Sequence, residues 1–242
     1  MLKESLVASA VTGCSLRPVD ICVVTYKNTS ERIERAMRPQ DHLFVRDNTR
    51  DNIGFGAGQN ELAGKGADAV IVFINPDGDP QPGCFDLLEE CVNRPGVVAA
   101  EASMGPKWDS FFGPKRPDGF WLNGACLAVR RETFERVGGF DDSLFLYCED
   151  IDLSWKLAEH GQLVTCTEAV FLHDWREARG KKELLYMTRN ELIIGRRWNR
   201  TGTLRRALKS IPWRVSRGEI TGAAMTSAGI ATYGWRRLTG RG

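Results

Sequence analysis

Short apolar segments alternate with amphipathic segments through the first hundred residues of the chain. Three apolar segments, Ile21–Tyr26, Leu43–Val45 and Ala69–Ile74, have the length and side chains of buried strands. Helical patterns lie between them and begin near Ser30 and near Gly56. Strand–helix–strand repeats at this spacing predict right-handed crossovers and an α/β fold with a mostly parallel sheet flanked by helices.

The same alternation continues beyond residue 80. Further strands are predicted at Val97–Ala102, Trp121–Val129 and Val164–Leu172. Helices are predicted at Pro82–Cys91 and Glu149–His160. After residue 181 the pattern is entirely helical, which predicts a helical C-terminal extension of the same domain.

Composition narrows the class of protein. The 242 residues are 42% hydrophobic and 26% charged, which is ordinary for a globular domain and excludes a disordered chain. The longest apolar run, Ala69–Ile74, is far shorter than the roughly 20 residues of a membrane-spanning helix. The first residues do not resemble a secretory signal, and seven cysteines without a CxxC pair favour reduced thiols. We therefore expect a cytoplasmic protein rather than a disulfide scaffold, a collagen-like fibre or a channel.

Charge is distributed unevenly. Residues 1–175 contain 17 basic and 27 acidic residues, whereas the segment from Arg176 onward contains 16 basic and 4 acidic residues. The basic segment comprises the predicted helices Lys181–Trp198, Thr203–Val215 and Ile220–Trp235. One interpretation is a set of amphipathic helices with solvated basic faces. Arg and Lys interleaved with Trp also suit peripheral contact with the inner face of a membrane, or a homodimer, more than nucleic acid.

Ligands of parallel sheets bind beyond the carboxyl ends of the strands. This rule selects Thr25, Tyr26, Asp47, Asn48 and the segment Asn75–Asp79. The carboxylates of Asn75-Pro-Asp-Gly-Asp79 follow the strongest predicted strand, where they suit a hard divalent cation facing a diphosphate. The alternative is a local Asp/Pro/Gly turn without ligand chemistry.

Three further features of the sequence each have a functional and a purely structural interpretation. The glycine-rich Asn52–Asn60 segment does not match GxGxxG, and it is either a ligand-approaching turn that includes Gly56 and Asn60 or a flexible loop. Glu149 and Asp150 open a predicted helix, where carboxylates compensate the helix dipole or provide a general base. His173 ends a predicted strand and is either structural or a metal ligand.

The order of these segments resembles the family 2 glycosyltransferases, and within them the rhamnosyltransferase-like group of polysaccharide biosynthesis. The matching segments are VVTYKN, DNTRDNIGFGAGQN, FINPDG, WLNGACLAVRRETFERVGGFDDSLFLYCEDIDLSWKLAEHG and AVFLHDW. The likeness runs from about Ile21 to Trp175, and MTRNELIIGRRW is similar to the C-terminal helices of that group. VGGFD…FLYCEDIDLSWKL is its specific part, because NPD alone is common.

The resemblance implies a GT-A type Rossmann-like fold, a nucleotide-diphosphate sugar donor, Mg²⁺ or Mn²⁺, and inversion at the anomeric carbon. By position it implies that Asp77 is a metal ligand, with Asn75 in place of the leading aspartate of a DxD motif. His173 matches a histidine that completes the metal site in some members. Asp79 makes a literal Asp-Gly-Asp, which leaves its part in the metal site open.

The resemblance also assigns the reacting groups. Asp150 matches the general base and Glu149 its neighbour near the acceptor. Thr25, Tyr26, Asp47 and Asn48 align with nucleotide contacts, and Trp121, Asn123 and Gly124 align with the donor–acceptor junction. The absence of the QxxRW signature from the tail favours single additions over polymerisation.

The predicted domain layout places a catalytic domain at 1–178, with a nucleotide-sugar half at about 20–100 and an acceptor half at about 101–178, followed by the extension at 179–242. The expected reaction moves a sugar from a dTDP-rhamnose-like or UDP-sugar donor to a hydroxyl of a glycan, glycolipid or other glycoconjugate. A nucleotidyltransferase and an inactive sugar- or nucleic-acid-binding protein on the same scaffold are the alternatives.

Overall fold

A seven-stranded sheet forms the centre of the described chain. The computed structural model describes residues 16–106, 120–174, 181–200 and 202–239. The strands are β1 (Asp20–Thr25), β2 (His42–Asp47), β3 (Val70–Ile74), β4 (Gly78–Pro80), β5 (Val97–Ser103), β6 (Cys126–Arg130) and β7 (Gln162–His173). Their spatial order is β2-β1-β3-β6-β5-β7-β4.

The sheet is mixed, with most strands running in one direction. β1 pairs in parallel with β2 and β3, and β5 pairs in parallel with β7. β6 is antiparallel to both β3 and β5, so β2, β1, β3, β5 and β7 share one direction. β4 is antiparallel to β7. The predicted α/β fold with a mostly parallel sheet is confirmed, with β4 and β6 as the two reversed strands.

Alternation along β1 divides the core into two layers. Ile21 and Val23 point to one face and Cys22 to the other, as the period of two in a strand requires. Among the described helices, α1 (Glu31–Ala36) and α3 (Cys84–Asn93) cover the first face, whereas α2 (Phe55–Ala63), α4 (Arg131–Arg136) and α5 (Glu149–Ala158) cover the second. Buried strands covered on both sides explain why their sequences are apolar throughout.

Two elements differ from the sequence prediction. The strand predicted from Trp121 begins only at Cys126, because the preceding backbone amides donate to side chains instead of to a neighbouring strand. β4 was not predicted, since Gly78 and Pro80 are poor strand formers. It forms because β7 offers it a partner far away in the sequence.

The C-terminal segment forms the three predicted helices, α6 (Lys181–Arg197), α7 (Thr203–Ser216) and α8 (Ile220–Thr239). α6 also packs on the loop before α5, through Leu144, Cys148 and Ile194. Within the described ranges, no helix has both the length and the hydropathy needed to cross a membrane. The boundary at residue 178 stays a prediction.

The cysteines of the described ranges are free thiols, as predicted. Six of the seven are described, and all six are buried, whereas Cys14 lies outside the described residues. Burial raises the pKa of Cys22 and of Cys166 to about 12. These thiols are therefore protonated and part of the core.

Candidate active site

The pairing of β4 with β7 brings Asp77 to His173, although 95 residues separate them in the chain. Gly78 lies opposite His173 in the register, and Asp174 N donates to the main-chain oxygen of Asp77 at 3.0 Å. The Asp77 Oδ1 and His173 Nε2 atoms are 3.4 Å apart. The side-chain amide of Asn75 lies 3.4 Å from the same His173 nitrogen. The two predicted metal ligands, Asp77 and His173, therefore meet beside Asn75 at the carboxyl end of β3.

A glycine is required at position 78 for this approach. A Cβ atom there would lie 2.1 Å from the ring of Phe171, which is fully buried. The Phe171 ring also lies 5.9 Å from the ring of His173. Any larger side chain at Gly78 would displace Phe171 and with it the end of β7 that holds His173.

The Asp77–His173 pair fits a divalent cation by its chemistry and spacing. A carboxylate oxygen and an imidazole nitrogen suit Mn²⁺, and two ligands at right angles about 2.1 Å from an ion lie about 3 Å apart. The side chains remain partly accessible, with 13% exposure for His173 and 29% for Asp77. Asp79 lies opposite Leu172 in the register and accepts from Gln81 Nε2 at 3.2 Å. The register therefore selects Asp77, and not Asp79, as the neighbour of His173.

The acidic pair Glu149–Asp150 begins α5 after a strained turn. Tyr147 and Cys148 both have a φ of 69°, in the left-handed region that non-glycine residues rarely adopt. Strain of this kind persists where surrounding contacts impose it, and it is concentrated at functional sites. Here the contact comes from α6, because the side chain of Asn190 donates to the carbonyl oxygens of Leu146 at 2.9 Å and Tyr147 at 2.8 Å.

Asp150 is held by backbone amides at both carboxylate oxygens. Oδ2 accepts from Gly124 N at 3.1 Å, and Oδ1 accepts from Ile151 N at 2.9 Å. A Cβ atom at Gly124 would lie 3.1 Å from the Cβ of Asp150, so the glycine permits the close approach. Asp150 is half-buried, and these two amide hydrogen bonds orient its carboxylate.

Glu149 differs from its neighbour in being buried. It is 6% exposed, and its Oε2 atom has no hydrogen-bond partner in the part of the chain that the structure describes. Burial raises the pKa of Glu149 well above its ordinary value, and the charge of Asp150 raises it further. Burial thus disfavours the charged form of Glu149, and Asp150 is the more accessible carboxylate of the pair.

Residues 123–125 connect the two sides of the site. Asn75 N donates to Ala125 O at 2.8 Å, while Gly124 donates to Asp150 as described above. Asn123 N donates to buried Glu101 at 2.6 Å, and the Asn123 side chain accepts from Ala125 N at 2.8 Å. A single hydrogen-bonded segment thus joins the loop that holds Asp77 to Asp150. Trp121, half-buried, precedes this segment.

The residues predicted to contact the nucleotide divide into a buried and an exposed pair. Thr25 and Asn48 are buried, and Asn48 Nδ2 donates to Gly54 O at 3.0 Å. Tyr26 is 52% exposed, and Asp47 is exposed at the end of β2. Hydrogen bonds from Thr49 lower the pKa of Asp47. The buried Thr25 and Asn48 are part of the structure at this end of the sheet. The exposed Tyr26 and Asp47 present their side chains to solvent there.

Gly56 and Asn60 contact the protein in ways that the sequence did not indicate. A Cβ at Gly56 would lie 3.0 Å from Phe140 and 3.6 Å from the Cβ of Glu149. The Asn60 amide donates to Phe140 O at 2.9 Å and to Asp142 at 2.7 Å. Both residues thereby fasten α2 to the segment that leads to Glu149, and a ligand contact by either stays a prediction.

The chain is similar to known glycosyltransferases in sequence and in fold. No protein-family model matches the chain. The N-acetylglucosaminyl-diphospho-decaprenol L-rhamnosyltransferase of Mycobacterium tuberculosis is 27% identical, over 68% of this chain and 69% of that protein. The rhamnosyltransferase WbbL of Escherichia coli is 49% identical over 41 residues, which are 17% of this chain and 16% of WbbL.

A solved structure shows the same fold. Mannosyltransferase PcManGT from Pyrobaculum calidifontis, in complex with GDP-Man and Mn²⁺, superposes with a TM-score of 0.62 at 14% identity, covering 90% of this chain and 87% of PcManGT. The chain is a GT-A glycosyltransferase related to the WbbL-type rhamnosyltransferases. The expected family and fold are thus confirmed, and the comparisons favour them over a nucleotidyltransferase.

The structure of the glycosyltransferase also reveals a contact that the sequence did not predict. Asp152, fully buried in α5, accepts from Arg197 Nη1 at 2.8 Å and from Trp198 Nε1 at 2.9 Å. Arg197 also pairs with Asp141 at 2.5 Å. These bonds tie the end of α6 to the helix that carries Asp150. The acidic first turn of α5 was visible in the sequence, but its basic partner 45 residues away was not.

A second acidic cluster of the glycosyltransferase has a structural explanation. Ligand atoms of Asp20, His42 and Asp68 lie within 4.8 Å of one another, at the edge of the sheet opposite to Asp77. Arg131 Nη2 pairs with Asp20 at 2.6 Å, and Arg131 Nε donates to Asp68 O at 2.7 Å. The guanidinium of Arg131 therefore supplies the positive charge that balances this cluster.

Proposed function

We propose that this glycosyltransferase moves a rhamnosyl group from a nucleotide-diphosphate donor to a hydroxyl of a lipid-linked sugar, with inversion at the anomeric carbon. The donor sugar and the lipid-linked acceptor follow from what the Mycobacterium tuberculosis relative is named for. The observation that carries the proposal is the 123–125 segment, which joins the Asp77–His173 pair to Asp150. This connection supports a diphosphate site and a base site that lie next to each other.

The donor side consists of the Asp77–His173 pair, with the exposed Tyr26 and Asp47 near the nucleotide. Asp77 and His173 would hold Mg²⁺ or Mn²⁺, and PcManGT was solved with Mn²⁺. The ion, when bound, supplies positive charge for the departing diphosphate. Without a cation, the carboxylate of Asp77 would repel a diphosphate.

The acceptor side requires a base at the opposite face of the sugar. As the acceptor oxygen attacks the anomeric carbon, its proton passes to the Asp150 carboxylate and the bond to the diphosphate oxygen breaks. One carboxylate is sufficient for this single displacement. Burial raises the pKa of the neighbouring Glu149, which disfavours a second negative charge beside Asp150. Gly124 N and Ile151 N orient the Asp150 oxygens before the acceptor arrives.

Asp150→Asn tests the role of the base. The amide preserves the shape, so we expect donor binding to persist while turnover falls by roughly 10²–10⁴-fold. Glu132→Gln, an exposed substitution on α4, is the matched control and should leave turnover unchanged. Rates are measured with dTDP-rhamnose, UDP-sugars and GDP-sugars on a short-chain N-acetylglucosaminyl-diphospho-lipid, and NMR of the product gives the anomeric configuration. Near-normal turnover of Asp150→Asn contradicts the assignment, and donor binding without transfer to any acceptor favours an inactive binding protein.

A further inference from the structure

One side of α7 presents large apolar side chains to solvent. Leu204, Leu208 and Val215 are 46%, 50% and 49% exposed. Their spacing of four and seven residues places them on one stripe of the helix. Exposed leucines scattered singly are ordinary, but a stripe of them along one helix indicates a binding surface.

Packing fixes the orientation of this stripe. Thr203 on the opposite side of α7 is buried, and its Oγ1 lies 2.4 Å from the position of a Cβ at Gly195 in α6. Arg214, also on the inner side, pairs with Glu219 at 2.8 Å. Rotation of α7 to bury Leu204 and Leu208 would remove Thr203 from its contact with α6, so the stripe stays exposed in the folded protein.

Cationic side chains border the stripe. Arg205 and Lys209 lie one turn apart and line a shallow groove together with Gly202, Leu204, Leu208 and Pro212. Neither Arg205 nor Lys209 has an acidic partner within 4.0 Å in the described ranges. Trp213, 54% exposed, stacks with Arg217 at 5.1 Å on the same helix. From Gly202 to Arg217 the chain has five basic residues and no acidic one.

We infer that α7 is a docking helix for an anionic lipid bilayer surface. The apolar stripe would enter the acyl boundary, while Arg205 and Lys209 meet lipid phosphates, as interfacial amphipathic helices do. The inference deepens the proposed function, because a lipid-linked acceptor resides in such a surface. The position of α7 supports it, since the same helical lobe holds the turn before Glu149 and Asp150 through Asn190.

Vesicle flotation with the full chain tests this surface. We expect binding to phosphatidylglycerol-containing vesicles at low salt and none to pure phosphatidylcholine. Binding should weaken with salt, because charges are screened within about 10 Å at 0.1 M. Arg205→Gln/Lys209→Gln should lower the affinity about 25-fold, at about fivefold for each cation. Leu204→Ser/Leu208→Ser should lower it by roughly tenfold or more, through the loss of buried apolar area.

Matched controls separate this surface from general charge and from folding. Arg35→Gln/Arg136→Gln removes the same charge at exposed positions of α1 and α4 and should bind as the unaltered chain does. All α7 variants should melt within a few degrees of the unaltered chain and retain transfer to a short-chain acceptor in solution. Vesicle binding without transfer to any acceptor would reject the proposed function alone.

Two outcomes overturn the inference. The first is a failure of the vesicle test, which is either transfer activity without vesicle binding at low salt or vesicle binding that neither α7 variant weakens. The second is a dimer in light scattering that Arg205→Gln/Lys209→Gln dissociates, with no vesicle binding, which would assign the stripe to a second copy of the chain.

Discussion

The side-chain amide of Asn190 lies 2.8 Å from the carbonyl oxygen of Tyr147, a residue held at a φ of 69°. Asn190 is fully buried in α6, and Tyr147 lies two residues before Glu149 in the sequence. A helix of the basic extension therefore sustains the strained turn from which the acidic pair is presented. The position of the proposed base Asp150 therefore depends on α6.

Asn190→Ala should reduce turnover more than its effect on stability explains. It leaves the Leu146 and Tyr147 carbonyls without their donor, which costs about 1–3 kcal/mol, and it frees the turn before Asp150. We expect a lower kcat with an unchanged donor Kd. Ile33→Val, a core substitution that costs about 0.5–1.5 kcal/mol, is the control for stability and should keep full turnover. Equal activity of the two variants at equal Tm would contradict a positioning role.

Asp77→Ala should abolish metal-dependent binding of the donor, because the diphosphate then lacks a bound cation. His173→Ala should weaken Mn²⁺ binding by about 10–100-fold or more, since loss of even an indirect partner of a metal costs that much. Asp79→Ala is the control and should bind Mn²⁺ normally, as its carboxylate lies away from His173 in the register. Calorimetry with and without EDTA measures both affinities. Donor binding that is indifferent to EDTA would reject the metal site.

Glu149→Gln should change how stability depends on pH. The raised pKa of Glu149 means that the folded state holds a proton that the unfolded state releases. The stability linked to this proton is complete below the unfolded pKa, near 4.5, and is lost as the pH rises toward the folded pKa. The Gln variant cannot release a proton, so its Tm should decline less than that of the unaltered chain above pH 5. Parallel Tm–pH curves for the two proteins would contradict this prediction.

Arg197→Ala should destabilise the domain and lessen its loss of stability in acid. Asp152 keeps Lys156 and Trp198 as partners, so we expect about 1–3 kcal/mol, less than a fully buried pair would cost. Burial opposes ionisation of Asp141, but bonds from Ser143 and Arg197 outweigh it and lower its pKa. The stability from this pair is present above the unfolded pKa of about 3.9 and is lost as the pH falls through the folded pKa. Urea titrations between pH 3 and 7 measure both effects, and an unaltered acid response would contradict a stabilising ion pair between Arg197 and Asp141.

Some features of this protein were determined by local sequence. The buried strands β1 and β3, the helices of the extension and the family resemblance all follow from apolar periodicity and short contiguous motifs. Such signals are local, because a strand or helix expresses its period within one segment. The Glu149–Asp150 pair at the start of a helix belongs to the same class of signal.

Only the tertiary structure decided which residues meet. The sequence alone did not separate Asp77 from Asp79, and the β4–β7 register did so by placing Gly78 opposite His173. Asp152 pairs with Arg197, which is 45 residues away, and Tyr147 is supported by Asn190, which is 43 residues away. Gly56 packs on Glu149, which is 93 residues away. Contacts of this range depend on how elements pack, because no short window of sequence contains both partners.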